Sequence, residues 1–268
     1  MLVAAVAVGT LAGCSTSSST PATTTTTTAA ATTTSTPGGS TGSTTTTKAA
    51  SALLKVGSTG PAVRSLQQRL TALGYRPGPV DGTYSNATAS AVMAFQKRQG
   101  LTRDGVAGPA VVAGLAHPTG AGPRSGLPTP RIEVDIARQL VFVVLPGQPV
   151  ITLNTSTGSG KPYTSPGGGT DVADTPTGSF TIQSKVAANQ KAPLGTLYYP
   201  MYFYKGWAVH GSPSVPGYPA SHGCVRLSNA DDSWLFERAT VGMPVVLYDT
   251  TGKSPAVTGL PGDAAGGS

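Results

Sequence analysis

Two of the chain's three histidines, His210 and His222, stand close to Cys224, and the first imidazole and the thiol are 14 positions apart (224 − 210). A glycine follows each histidine, Gly211 and Gly223, and an apolar run, Trp207-Ala208-Val209, leads into the first. This set suits nucleophilic acyl chemistry. A thiolate attacks a carbonyl, an imidazole takes the thiol proton, and backbone N–H groups hold the oxyanion. Glycine serves such a site because it lets backbone approach a ligand closely. Two plainer roles are open to the same residues. A single Cys is commonly a small buried hydrophobe. His210, His222 and Cys224 are also three of the four ligands that a zinc site needs. No fourth ligand stands nearby, and the third histidine, His117, lies in a Pro/Gly-rich stretch.

The wider run carries a resemblance. His210-Gly211, then Ser221-His222-Gly223-Cys224-Val225-Arg226, resembles the signature of the L,D-transpeptidase catalytic domain, the YkuD family. That pattern is His-Gly, a variable loop, then Ser-His-Gly-Cys, an apolar residue, and Arg or Asn. The resemblance extends over residues 131–249 and takes in Val134-Asp135, Gln139, Ser156-Thr157-Gly158, Thr175-Pro176-Thr177-Gly178 with Phe180, and Gly242-Met243-Pro244-Val245. It implies a β-sandwich with one capping helix and no cofactor. It implies Cys224 as nucleophile and His210 as base, with the Gly211 carbonyl orienting the imidazole, and the Gly223 and Cys224 N–H groups as the oxyanion hole. Ser221, His222 and Arg226 fall to substrate binding. His222 reads as loop support more than as a second base. Arg226 either binds a substrate carboxylate or pairs with Asp231 or Asp232. The implied reaction is the family's: attack on the third residue of a peptidoglycan tetrapeptide stem, release of D-Ala, and transfer to a side-chain amine to give a 3→3 cross-link. Water as acceptor makes the same chain an L,D-carboxypeptidase. A non-catalytic wall-binding lipoprotein is the alternative from another class.

The elements that must position these residues read mainly as strands. Ile132, Val134 and Ile136 alternate with polar residues, the period of a half-buried strand. Residues 140–145 are a continuous apolar run, Pro146-Gly147 is a turn, and residues 150–153 resume a strand pattern. Phe180 and Ile182 alternate. Residues 199–204, 207–209 and 245–248 read as further strands. Ser228-Asn229-Ala230-Asp231 caps one helix over about 230–239. Many strands with a single helix argue a mainly-β domain. Residues 187–197, with Lys191, Pro193 and Gly195, read as a long polar loop of the kind that forms lids.

Residues 53–116 have a different pattern. Val63, Leu66, Leu70 and Leu73 recur at helical spacing, with Ser58 or Thr59 as cap, Pro61 in the first turn and Gly74 at the end. A second helix spans 85–99, and Gly108-Pro109 opens a third. This three-helix unit resembles the type 1 peptidoglycan-binding domain through Leu66-Gln67, Leu73-Gly74-Tyr75, Asp81-Gly82, Thr88, Ala91-Val92, Phe95-Gln96, Gly100-Leu101, Asp104-Gly105 and Gly108. Tyr84-Ser85 stands where that family usually has Phe-Gly. Most of the chain's net charge of +7 sits here: residues 54–116 hold seven Lys/Arg and two Asp (7 − 2 = +5), while residues 131–250 hold eight of each sign (8 − 8 = 0). A basic module attracts a polyanion. In the expected compartment that is cell-wall polymer and not nucleic acid.

Residues 117–130, with four Pro and three Gly, read as an interdomain linker. Residues 1–13 read as a signal peptide ending in Leu11-Ala12-Gly13, with Cys14 in the place of a lipidated bacterial lipobox cysteine, although no Lys or Arg precedes the apolar core. Residues 14–50 are a Thr/Ser/Pro-rich tether, too polar to bury a core. About 36 such residues reach at most ~120 Å. The expectation is an exported monomer, lipid-anchored on the outer face of the membrane and facing the wall, with residues 250–268 as a flexible tail.

Overall fold

The computed structural model describes residues 53–257. The signal, Cys14 and the tether lie outside the described residues, as do residues 258–268. Three helices come first: α1 (Pro61–Ala72), α2 (Asn86–Gln99) and α3 (Pro109–Ala116). Val63, Leu66 and Leu70 of α1 and Ala91, Val92 and Phe95 of α2 are buried in one cluster. Ser85 caps α2, its hydroxyl accepting from the Thr88 N–H at 3.3 Å. The cap of α1 is Gly60, which offers no side-chain hydrogen bond, and neither Ser58 nor Thr59 serves. Both of those are engaged elsewhere: Thr59 pairs with Thr83, and the Ser58 hydroxyl accepts from the Lys55 N–H.

The second domain runs through β1 (Arg131–Asp135), β2 (Leu140–Val144), β3 (Ile151–Asn154), β4 (Pro162–Thr164), β5 (Thr170–Val172), β6 (Gly178–Thr181), β7 (Ser184–Lys185), β8 (Asn189–Ala192), β9 (Gly195–Tyr204), β10 (Trp207–Ser212), β11 (Val225–Ser228), α4 (Asn229–Phe236) and β12 (Pro244–Tyr248). One sheet has the order β3-β2-β1-β12-β6, and the other β11-β10-β9-β7 with β8 also on β9. A single apolar core draws on both: Ile132, Val143, Phe180 and Val245 from the first, Met201, Phe203, Val209, Val225 and Leu227 from the second, and Leu235 from α4.

Strand β2 explains how the two domains meet. Its residues alternate in direction. Val141 and Val143 enter the β-domain core. Leu140 and Phe142 enter the cluster of the helical module, beside Leu70, Tyr75 and Phe95. A strand buried on both faces reads as an unbroken apolar run, which is what residues 140–145 are. Burying each of those two side chains contributes about 2–3 kcal/mol. The backbone joins in: the Thr152 N–H donates to the Gly74 carbonyl at 2.8 Å. A Cβ on Gly74 would overlap the Val150 carbonyl, so this approach requires glycine.

One expectation changes, and two stretches gain detail. Residues 117–130 are fastened along their length: Arg98 donates to the Gly120 carbonyl, Arg138 to that of Ala121, and Arg131 to those of Arg124, Leu127 and Pro128. Within 187–197 the chain forms the β8–β9 hairpin, paired from Asn189–Tyr198 to Ala192–Gly195, where a polar loop was expected. Polar side chains hid a strand whose faces are largely exposed. Residues 250–257, at the start of the expected tail, are held in place: the Val257 N–H donates to the Thr177 carbonyl and its side chain packs on the core.

Candidate active site

Strands β10 and β11 run parallel with His210 opposite Arg226 and Val209 opposite Val225. Side chains alternate along a strand and match across a pair. Val209, Val225 and Leu227 therefore point to the core, as their burial shows. His210, Arg226 and Cys224, which stands one residue before β11, share the opposite face. That face lines a cleft of about 870 Å³, walled by Tyr163, Leu194, Tyr202, Trp207 and His222 as well. The β4–β5 hairpin supplies one wall and the β8–β9 hairpin another.

His210 is 6% exposed, and its Nδ1 lies 2.8 Å from the carbonyl oxygen of Gly211. With Nδ1 donating there, Nε2 is left as the acceptor. Burial pushes the imidazole down to about 4. The Cys224 thiol is pushed up by burial, against the opposing pull of the Ala208 backbone and Arg226. Both shifts run toward the neutral forms. Removing both groups from water disfavours their charged forms.

The loop before the thiol is tightly held. The Ser221 hydroxyl donates to the Cys224 carbonyl at 2.6 Å and accepts from the Gly223 N–H at 3.0 Å. Ser221 is 2% exposed. It lines the cleft and also staples the loop. The Gly223 N–H, expected in an oxyanion hole, is engaged by that staple. Thr175 Oγ1 donates to the Gly223 carbonyl at 2.6 Å and accepts from the Gly158 N–H at 2.8 Å. Gly223 has φ +134°, and a Cβ there would overlap Trp207 Nε1 and stand 2.7 Å from the Asp174 carbonyl. Trp207 Nε1 itself donates to that carbonyl at 3.1 Å. Sequence reading missed Thr175 and Asp174 as supports, because partners 48 and 33 residues away leave no local spacing signal.

His222 is exposed and meets Tyr163 edge-on, ring centroids 4.9 Å apart. His210, His222 and Cys224 do not gather as a metal-ligand set, and no such cluster occurs among the described residues. Arg226 is half-buried in the cleft. Asp231 pairs with Arg76 at 3.0 Å, and Arg226 is in none of the ion pairs among the described residues. Asp232 is fully buried, and neither of its carboxyl oxygens has a hydrogen-bond partner. Burial, reinforced by Asp231, pushes it up to about 8; the Gly211 N–H pulls the other way without reaching bonding geometry.

Comparison with known proteins identifies both domains. The L,D-transpeptidase catalytic domain model (YkuD) matches residues 129–247, and a peptidoglycan binding domain model matches residues 59–115. The crystal structure of the L,D-transpeptidase from Xylanimonas cellulosilytica DSM 15894 is 44% identical, with a TM-score of 0.69 over 73% of this chain and 97% of that one. Shorter matches link the chain to the zinc D-Ala-D-Ala carboxypeptidase of Streptomyces albus G, 48% identical over 65 residues (22% of this chain, 24% of that protein). A further match is to the "Probable L,D-transpeptidase YbiS" of Escherichia coli K12, 37% identical over 70 residues (25% of this chain, 22% of that protein). The chain spans a quarter or less of the length of these curated relatives. The chain belongs to the L,D-transpeptidase family, with a helical peptidoglycan-binding domain ahead of a mostly-β catalytic domain.

Proposed function

We propose that this protein forms 3→3 cross-links in peptidoglycan through a thioester on Cys224. The observation that carries the reading is the pairing of β10 with β11, which sets His210, Arg226 and Cys224 on one cleft-lining face with His210 Nδ1 held by the Gly211 carbonyl. Nε2 takes the thiol proton as Sγ bonds to the carbonyl carbon of the third stem residue. The C–N bond to the terminal D-Ala breaks, and the departing amine receives the proton from the imidazolium. A side-chain amine of a neighbouring stem then attacks the thioester. His210 takes its proton, and the thiol is restored. Arg226, in none of the ion pairs among the described residues, binds a substrate carboxylate. The two sheets that share a core are read as the family's β-sandwich. Cys14 is read as the lipid attachment site of an exported, wall-facing monomer.

The test is incubation with a purified disaccharide-tetrapeptide, followed by mass analysis of protein and products. A dimer lacking one D-Ala, with an adduct on Cys224, supports cross-linking. Shortening to tripeptide alone would make water the acceptor and the protein an L,D-carboxypeptidase.

A further inference from the structure

The helical module sends an amine into the catalytic domain, where burial pushes its pKa down to about 7. Lys97, near the end of α2, is 1% exposed. Its ammonium donates to three oxygens of the other domain: the Gln139 carbonyl at 3.1 Å, Asn154 Oδ1 at 2.5 Å and the Thr155 carbonyl at 2.7 Å. None of the ion pairs among the described residues includes it. Burial works against the charged form, which is held there without a counter-ion only when all its donors are met. Three donors facing three oxygens meet that condition. Packing alone would be served as well by Met or Leu.

Two of the three oxygens that Lys97 holds belong to a strip, residues 154–157, that in turn holds the loop carrying Cys224. Thr155 Oγ1 donates to the Arg226 carbonyl at 2.7 Å. Ser156 exchanges two backbone hydrogen bonds with Arg226, at 3.3 and 3.1 Å, and its hydroxyl donates to the Tyr218 carbonyl at 2.8 Å. The Thr157 carbonyl accepts from the Ala220 and Ser221 N–H groups at 3.0 and 2.9 Å. Asn154 Nδ2 donates to the Val215 carbonyl at 3.1 Å. Residues 154–157 thus hold the chain at 215, at 218–221 and at 226, on both sides of Cys224.

We propose that Lys97 is a positioning residue for the reaction: by clamping residues 154 and 155 it fixes the loop that carries Cys224 and Arg226, which makes the helical module a working part of the catalytic site. The inference rests on Cys224 being the reacting group. It is tested in the full chain with Lys97→Met, Thr155→Val and Thr155→Ser, measuring kcat, KM and the rate at which iodoacetamide alkylates Cys224. Lys97→Met lowers kcat by about tenfold to a hundredfold, the scale of a misplaced reacting group, with KM within about twofold and alkylation slowed in parallel. Thr155→Val acts in the same direction, and Thr155→Ser, which restores the hydroxyl, returns wild-type rates. A folded Lys97→Met protein with wild-type kcat and alkylation overturns the proposal. If that variant fails to fold, the Thr155 pair decides, and equal rates for Val and Ser overturn it. Wild-type protein that alkylates at Cys224 but makes no product contradicts the proposed function instead, and the coupling is then read from alkylation rates alone.

Discussion

At the scale of single residues, burial disfavours the charged forms of both the Cys224 thiol and the His210 imidazole. The protonation state of His210 then sets the acid limb of the pH profile. Its imidazole is held near 4, so acylation persists through pH 5 and falls as pH drops through about 4. A rate profile for acylation of Cys224 checks this, and a limb near the ordinary 6.5 contradicts it. Gly223 has no room for a side chain. Gly223→Ala forces the loop off the Thr175 and Ser221 hydrogen bonds, and strain of this kind costs about 1–3 kcal/mol. The expected result is a loss of acylation of about tenfold or more with the fold retained, read from alkylation rate against circular dichroism. Asp232 gives a stability signature. Its carboxyl stays protonated up to about 8 when folded, while an unfolded carboxyl ionises near 3.8. The folded state therefore holds the extra proton between those values, and stability falls as pH rises from about 4 to 8. Asp232→Asn flattens that dependence in urea unfolding series; an unchanged slope contradicts the assignment.

At the scale of elements, the strands β10 and β11 do most of the positioning, and their role was only partly legible. The apolar run at 207–209 marked β10, but β11 is four residues long and its pairing with β10 is a tertiary fact. The His-Gly and Ser-His-Gly-Cys runs named the chemistry without showing that parallel register places His210 opposite Arg226. The helices were legible because buried residues recur along them and Pro and Gly mark their ends. The hairpins β4–β5 and β8–β9 were not, because exposed, polar strands carry no two-residue apolar period. Strand β2 was recognised, and its unbroken apolar run reported burial on both faces. Phe142→Ala removes an anchor shared with the helical module and costs about 3–5 kcal/mol, measurable as a lowered denaturation midpoint. Destabilisation well under 1 kcal/mol would show that the two domains do not share this core.

At the scale of the whole molecule, two family-sized domains behave as one piece. Leu140 and Phe142 join the helical cluster, Arg76 pairs with Asp231 while its guanidinium covers Trp234 at 4.3 Å, and the connecting segment is bonded throughout. The charge map shifts accordingly. Of the seven basic residues in the helical module, Lys97 is enclosed and Arg76 is paired, so its net +5 overstates the surface left for a wall polymer. Thermal unfolding of a chain starting at Lys48 is expected as one transition, with secondary structure and tryptophan fluorescence lost together; two separated transitions would mark independent modules. The central claim remains the chemistry at Cys224. Its most direct measurement is the intact mass of the protein during turnover of a disaccharide-tetrapeptide. A transient adduct, equal to the substrate less one D-Ala, is expected to map to Cys224 and to be absent from Cys224→Ala. Cross-linked product from the Cys224→Ala protein would contradict it.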